Sequence, residues 1–123
     1  MKIFNDDSPI YLQLRRHIEE LILNRILSEE DAIPSLRTMA KDYKLNPLTV
    51  SNAVGALVEE GILYKKRGIG IFVSPDSRNH IIAKRSESFI TDTLEPALRS
   101  ARQLEIPKLI ITQRLNALYG EES

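Results

Sequence analysis

Cysteine is absent from this chain of 123 residues, which removes disulfide frameworks, thiolate metal sites and thiol nucleophiles on chemical grounds. Glycine and proline are scarce, at 5 and 6 residues, so neither a collagen-like nor a disordered composition applies. No stretch approaches the ~20 uninterrupted apolar residues of a membrane span. The opening MKIFNDDSPIYLQ is acidic and has no long apolar run, so a cytoplasmic protein without a membrane partner is expected. An excess of either charge is also missing, with 17 Lys and Arg against 17 Asp and Glu. What is present is 42% hydrophobic and 28% charged residues, the makings of a core in a chain the size of one domain or a small domain with an appendage.

Overall neutrality hides an uneven distribution. Residues 1–33 carry 4 basic and 7 acidic residues, residues 34–73 carry 6 and 3, and residues 74–123 carry 7 and 7. The middle segment, at net +3, is where a polyanion would be attracted.

Periodicity divides the chain into short elements. Ile10, Leu14, Ile18, Leu21 and Ile22 recur at helical spacing and predict a helix over 9–25, with Ser8 as side-chain cap and Pro9 at its first position. Arg15, Arg16, Glu19 and Glu20 fall on the opposite face and read as solvated surface. Residues 28–31 read as a polar loop. Ser35 caps a short second helix whose buried face is Leu36, Met39, Ala40 and Tyr43. Asn46 followed by Pro47 is a strong start for a third helix over 47–60, with Val50, Ala53, Val54, Leu57 and Val58 inward and Gly61 at its end. The period then changes. Ile62–Lys66 and Ile71–Val73 predict a hairpin around Arg67-Gly68-Ile69-Gly70. Pro75 closes it, placing a boundary between residues 1–75 and 76–123. Beyond lie a long helix over about 79–103, which Pro96 should bend or break, and a last helix over about 107–119.

Catalytic chemistry finds no footing. His17 and His80 lack the paired spacing of a zinc site and read as surface or packing residues. No nucleophile elbow or phosphate loop is present, and the Gly68-x-Gly70 pair lacks both the third glycine and the following helix of a dinucleotide loop. No enzyme activity, metal or cofactor is therefore expected.

The order helix, helix, helix, hairpin is that of a winged helix-turn-helix. The third helix can lie in a major groove with its positive N-terminal end toward phosphates, and the wing can reach the backbone or the minor groove. Asn46, Thr49, Ser51 and Asn52 are short polar groups at that helix start. Asn46 can cap alone or cap and contact, and Thr49 can donate to phosphate or turn outward. Lys65, Lys66 and Arg67 run into the glycine-relieved tip at Gly68.

Four stretches carry a more specific signal: Pro9-Ile10-Tyr11-Leu12-Gln13-Leu14, Ile33-Pro34-Ser35-Leu36-Arg37-Thr38-Met39-Ala40, Leu45-Asn46-Pro47-Leu48-Thr49-Val50, and Glu60-Gly61-Ile62 followed by Arg67-Gly68-Ile69-Gly70-Ile71-Phe72-Val73. In this order they resemble the DNA-binding domain of GntR-family bacterial transcription regulators. The short helical remainder is similar to the YtrA-like branch. The resemblance implies a homodimeric regulator, expected to be a repressor, that binds double-stranded DNA at a pseudo-palindromic operator. It assigns DNA contact to Arg37 and Thr49, minor-groove entry to Arg67 and Gly68, and includes Leu48 within the recognition motif. It departs from the family at Arg25 and Glu30, where glycines are common and the turn after helix 1 is expected to differ. It departs again at Asn52, where a basic residue is common, and at Val54, where an aromatic is common and a repacked core is expected.

Phe89, Ile90, Leu94, Leu98, Ile110, Ile111, Leu115 and Leu118 supply more apolar surface than two helices can bury against each other, and are expected to form the dimer contact. The predicted architecture is thus mostly α with a small β-hairpin, a winged helix-turn-helix followed by a two-helix dimerisation tail. A winged-helix module that binds another protein and no DNA is the alternative. The sequence specifies no small-molecule effector.

Overall fold

A computed structural model describes residues 4–120. They form α1 (Ile10–Leu23), α2 (Leu36–Tyr43), α3 (Pro47–Glu59), strands β1 (Leu63–Lys66) and β2 (Gly70–Val73), α4 (Ser77–Phe89), a π-turn (Ile90–Leu94), α5 (Glu95–Gln103) and α6 (Lys108–Tyr119). Two compact units result, residues 1–84 and 85–123.

In the first unit, Leu14, Ile18 and Ile22 of α1 meet Met39 and Ala40 of α2 and Val50, Ala53, Val54 and Leu57 of α3 in one buried cluster. Ile62, Leu63, Val73 and Ile81 close it, so the compact unit runs past Pro75 into α4. Phe4 joins this core, and its ring, that of His17 and that of Tyr43 meet edge-on with centroids 5.5–6.1 Å apart. His17 is thus a packing residue.

Several local expectations are corrected. Pro9, expected inside α1, is its N-cap, with ψ at 138°, and its carbonyl accepts the N–H groups of Leu12 and Gln13 at 3.1 and 3.3 Å. Ser8 makes no side-chain cap to α1. Gln13 takes over that end: its side-chain amide donates to the carbonyls of Ser8 and Asn5 and accepts the Asn5 N–H. Residues 30–33, the first two of them expected in the polar loop 28–31, lie antiparallel along β2. The Glu30 and Ile33 N–H groups donate to Val73 and Ile71, the Val73 N–H donates to Asp31, and Ala32 bridges Phe72. The hairpin runs from Leu63↔Val73 to Lys66↔Gly70, so Gly70 belongs to a strand and the turn is Arg67-Gly68-Ile69.

Glu19 and Arg15 are not solvated surface either. Glu19 is only 4% exposed and accepts the Lys84 ammonium at 2.7 Å. Lys84 also reaches Glu60 at 2.8 Å, and Glu60 is ion-paired with Arg15. These pairs join α1, the end of α3 and α4.

Helix ends explain the turns that sequence marked poorly. After α3, Gly61 has φ +82°; its N–H donates to Val58, and that of Ile62 donates to Leu57, the paired bonds of a Schellman motif. The same pair of bonds ends α1 around Arg25, α2 around Lys44 and α5 around Glu105, at φ +60°, +55° and +58°. Glu30 is also left-handed, at φ +71°. At Arg25 and Glu30, where the sequences this chain resembles commonly have glycine and a different turn was expected, the side chains are therefore held in the conformation that glycine adopts most easily. Arg25→Gly is expected to stabilise the chain by about 1 kcal/mol, raising its melting temperature by roughly 5 °C. A thermal melt that moves down would show that the Arg25 side chain contributes more than its backbone costs.

In the second unit, helix continues through Pro96 without the break that was one of the two expected outcomes. Proline lacks an N–H and its ring crowds the carbonyl four residues before it. The turn just ahead widens into the π-turn, in which the Glu95 N–H donates to the Ile90 carbonyl, five residues back, and backbone angles at Phe89, Leu94 and Glu95 remain helical. Pro107 caps α6. The π-turn, α5 and α6 bury no residue.

Candidate nucleic-acid interface

The third helix is placed by two caps and a tight turn. Ser35 Oγ accepts the Thr38 N–H at 3.1 Å and starts α2. Lys44 ends it in a left-handed conformation. Two residues later Asn46 Oδ1 accepts the Leu48 N–H at 2.8 Å, with Pro47 first in α3. Asn46 thus does cap. Because Val50, Ala53, Val54 and Leu57 hold the inner face, Leu48, Ser51, Asn52, Gly55 and Glu59 form an exposed outer stripe. Leu48 is 67% exposed, Thr49 is half-buried, and Arg37 stands exposed at the second position of α2.

The wing is braced from both faces. Leu63 and Val73 face the core, so by strand alternation Tyr64, Phe72 and Lys66 share the other face. The Tyr64 and Phe72 rings lie 5.9 Å apart, and the Lys66 ammonium sits 4.4 Å above the Phe72 ring, a cation–π contact. The Tyr64 hydroxyl donates to Glu30, which holds the phenol protonated beyond its usual range. Lys65 alternates to the opposite side. The structure therefore brings Lys65, Lys66, Arg67 and Gly68 together as one exposed hairpin end, but sends the two lysines to different faces. The Ile69 N–H donates to the Lys66 carbonyl at 2.9 Å, and Gly68 takes φ +77°. Ile69, 74% exposed at the tip, was not among the sequence candidates. Its signal was an apolar residue between two glycines, which a search for polar contacts passes over.

Of the candidates in the second unit, Phe89, Ile90, Leu94, Leu98, Ile110, Leu115 and Leu118 are exposed, and Ile111 is half-buried. Among the described residues no helix is long and apolar enough to cross a membrane.

A helix pair with a capped, outward-facing second member, followed by a basic hairpin on the same core, defines a winged helix-turn-helix of the DNA-binding class. Residues 10–73 match the family model described as bacterial regulatory proteins, gntR family. The chain belongs to this family of transcription regulators, which bind DNA through the helix-turn-helix. It is 36% identical over 75 residues to the transcriptional repressor YtrA of Bacillus subtilis, a match covering 61% of this chain and 58% of that one. The chain therefore spans less than two thirds of that relative. Among solved structures, a GntR-family putative transcriptional regulator from Bacteroides thetaiotaomicron superposes with a TM-score of 0.74 at 30% identity, covering 93% of this chain and 99% of the other. The DNA-binding domain of AraR in complex with operator ORX1 superposes with a TM-score of 0.54 at 26% identity, covering 58% and 92%.

Proposed function

We propose that the chain is a cytoplasmic, homodimeric transcription repressor of the YtrA-like branch that binds a pseudo-palindromic operator, without enzymatic activity. The observation that carries this reading is the juxtaposition, on one core, of the outward stripe of α3 with the exposed basic wing. In this reading α3 enters the major groove from its N-terminal turn, where Leu48, Thr49, Ser51 and Asn52 meet base edges or phosphate, and Asn46 adds contact to its cap. Arg37 approaches the backbone from α2. The wing brings Lys65, Lys66 and Arg67 to the adjacent phosphates and minor groove, with Gly68 at the tip. The tail supports a dimer because its apolar side chains are exposed within the single chain, and a second copy related by a two-fold axis covers them while presenting two recognition helices.

Selection of bound duplexes from a random pool tests binding, symmetry and half-site spacing together. Recovered sequences should be inverted repeats whose affinity falls steeply with salt, since phosphate contacts release counterions. Recovery of nothing above background would favour a winged-helix module for protein partners. On a recovered duplex, Arg37→Ala and Arg67→Ala should each weaken binding by about 1 kcal/mol, roughly fivefold, with unchanged thermal melts. Ser28→Ala, in the segment before α2, should change nothing. Equal affinities for all three variants and the parent would remove the proposed docking.

A further inference from the structure

Two large apolar side chains stand out from the candidate interface, Leu48 at 67% and Ile69 at 74% exposure, and Ile69 is the more exposed of the two. It lies beyond the last register pair, Lys66↔Gly70. The flanking glycines offer no side chain to cover it, and the bond from its N–H to Lys66 fixes it in the turn. Its immediate neighbours toward β1 are Lys65, Lys66 and Arg67, cations that suit a surface lined by phosphates. An aliphatic wedge within a basic tip is a combination suited to a groove with charged walls and an uncharged floor.

We infer that Ile69 is a specificity-determining residue that reads the floor of the DNA minor groove by excluding the guanine 2-amino group, so that the wing selects A·T pairs at its point of entry. The inference rests on the reading of the chain as a DNA binder and deepens it at one position. The minor groove is only about 6 Å wide. An A·T pair lines its floor with the adenine N3 and thymine O2 acceptors, while a G·C pair adds an amino donor that projects from the floor. A branched aliphatic side chain occupies the space of that amine and offers it no acceptor, so a G·C pair there meets both a steric conflict and an unsatisfied donor. The floor acceptors of an A·T pair are served instead by Arg67, two residues before, whose guanidinium has donors only. A·T-rich segments also narrow the groove and deepen its negative potential, which favours the same arginine. Arg67 and Ile69 thus act as donor and wedge on one short turn, with Gly68 allowing the backbone between them to approach.

The test uses base analogues that change the minor groove and leave the major-groove edge intact. With the full chain and a duplex recovered from the random pool, each pair flanking the half-sites is replaced in turn by G·C, by inosine·C, which lacks the 2-amino group, and by 2,6-diaminopurine·T, which adds it to an A·T-like pair. At the wing position the parent should bind the G·C and diaminopurine·T duplexes about tenfold more weakly than the A·T and inosine·C duplexes. Ile69→Ser should bring all four to within about twofold of one another, whereas Ile26→Ser, at an equally exposed isoleucine outside the interface, should keep the discrimination. If the parent binds the duplex but ignores the 2-amino group at every flanking pair, or if Ile69→Ser retains the preference, the inference is wrong and the DNA-binding reading survives. If no duplex is recovered from the pool, the DNA-binding reading and the inference fall together.

Discussion

A chain cut after Lys84 is expected to stay folded, to sediment as a monomer, and to bind a two-half-site operator about 10²- to 10⁴-fold more weakly than the full chain, the loss set by effective concentration. The expectation follows from where burial lies. Every side chain of the hydrophobic core, through Ile81, falls within residues 1–84, whereas the π-turn, α5 and α6 bury none of theirs. Removing the second unit takes away no core side chain and removes the exposed apolar face that a second copy would cover. A cut after Pro75 should behave differently, because it also removes Ser77 and Ile81, 1% and 0% exposed, and the ammonium of Lys84. Loss of a fully buried isoleucine alone costs about 3 kcal/mol, so the shorter fragment should melt well below the longer one. Sedimentation and thermal melts of the three chains decide this. A full chain that sediments at 14.0 kDa, or a fragment ending at Lys84 that binds as tightly as the parent, would end the dimer proposal.

The division between what sequence shows and what it hides follows sequence separation. The α1, α2 and α3 stripes are local, repeating within a few residues, and each maps onto the core through side chains that were named from spacing alone. The caps at Ser35 and Asn46 are equally local. What escaped was either long-range or cast in an unusual residue. Pairing of residues 30–33 with β2 joins segments some forty residues apart, and no periodicity in the short run Glu30-Asp31-Ala32-Ile33 announces it. The left-handed helix ends at Arg25, Lys44 and Glu105 lack the glycine by which such ends are recognised. Pro96 illustrates a third kind of difficulty. The rule that proline interrupts a helix is sound, yet a π-turn resolves the conflict by shifting hydrogen bonds to a five-residue spacing, a choice that depends on the whole run of helix around it. At the interface, the polar and basic candidates were visible as types. The alternation that separates Lys65 from Lys66, the cation–π contact of Lys66 and the exposure of Ile69 belong to the folded hairpin.

Glu19 shows the same limit at its sharpest and leads to the second large effect. On the α1 wheel it stands beside Glu20 as one of two surface carboxylates, yet its side chain is 5% exposed and held by Lys84, 65 residues away in sequence. Lys84→Met keeps the aliphatic stem of the lysine and deletes the charge. The Glu19 carboxylate then stays in a desolvated setting without the ammonium that offsets its burial, and Glu60 loses one of its two cations. Breaking a buried pair from one side costs about 3–5 kcal/mol; the lower end applies, ~3 kcal/mol, since Lys84 itself is partly open to water. Adding Glu19→Gln should recover part of that loss, because a neutral amide is cheaper to bury than a carboxylate that has lost the Lys84 ammonium. Urea unfolding of the full chain at fixed protein concentration measures both, and a midpoint that falls for the single variant and partly recovers in the double variant is the expected pattern. A loss below about 0.5 kcal/mol for Lys84→Met would place this lysine among ordinary surface ion pairs. The root of α4 would then be held to α1 and α3 by the burial of Ile81 and by the bond that the Arg78 Nε–H donates to the Leu23 carbonyl at 3.0 Å.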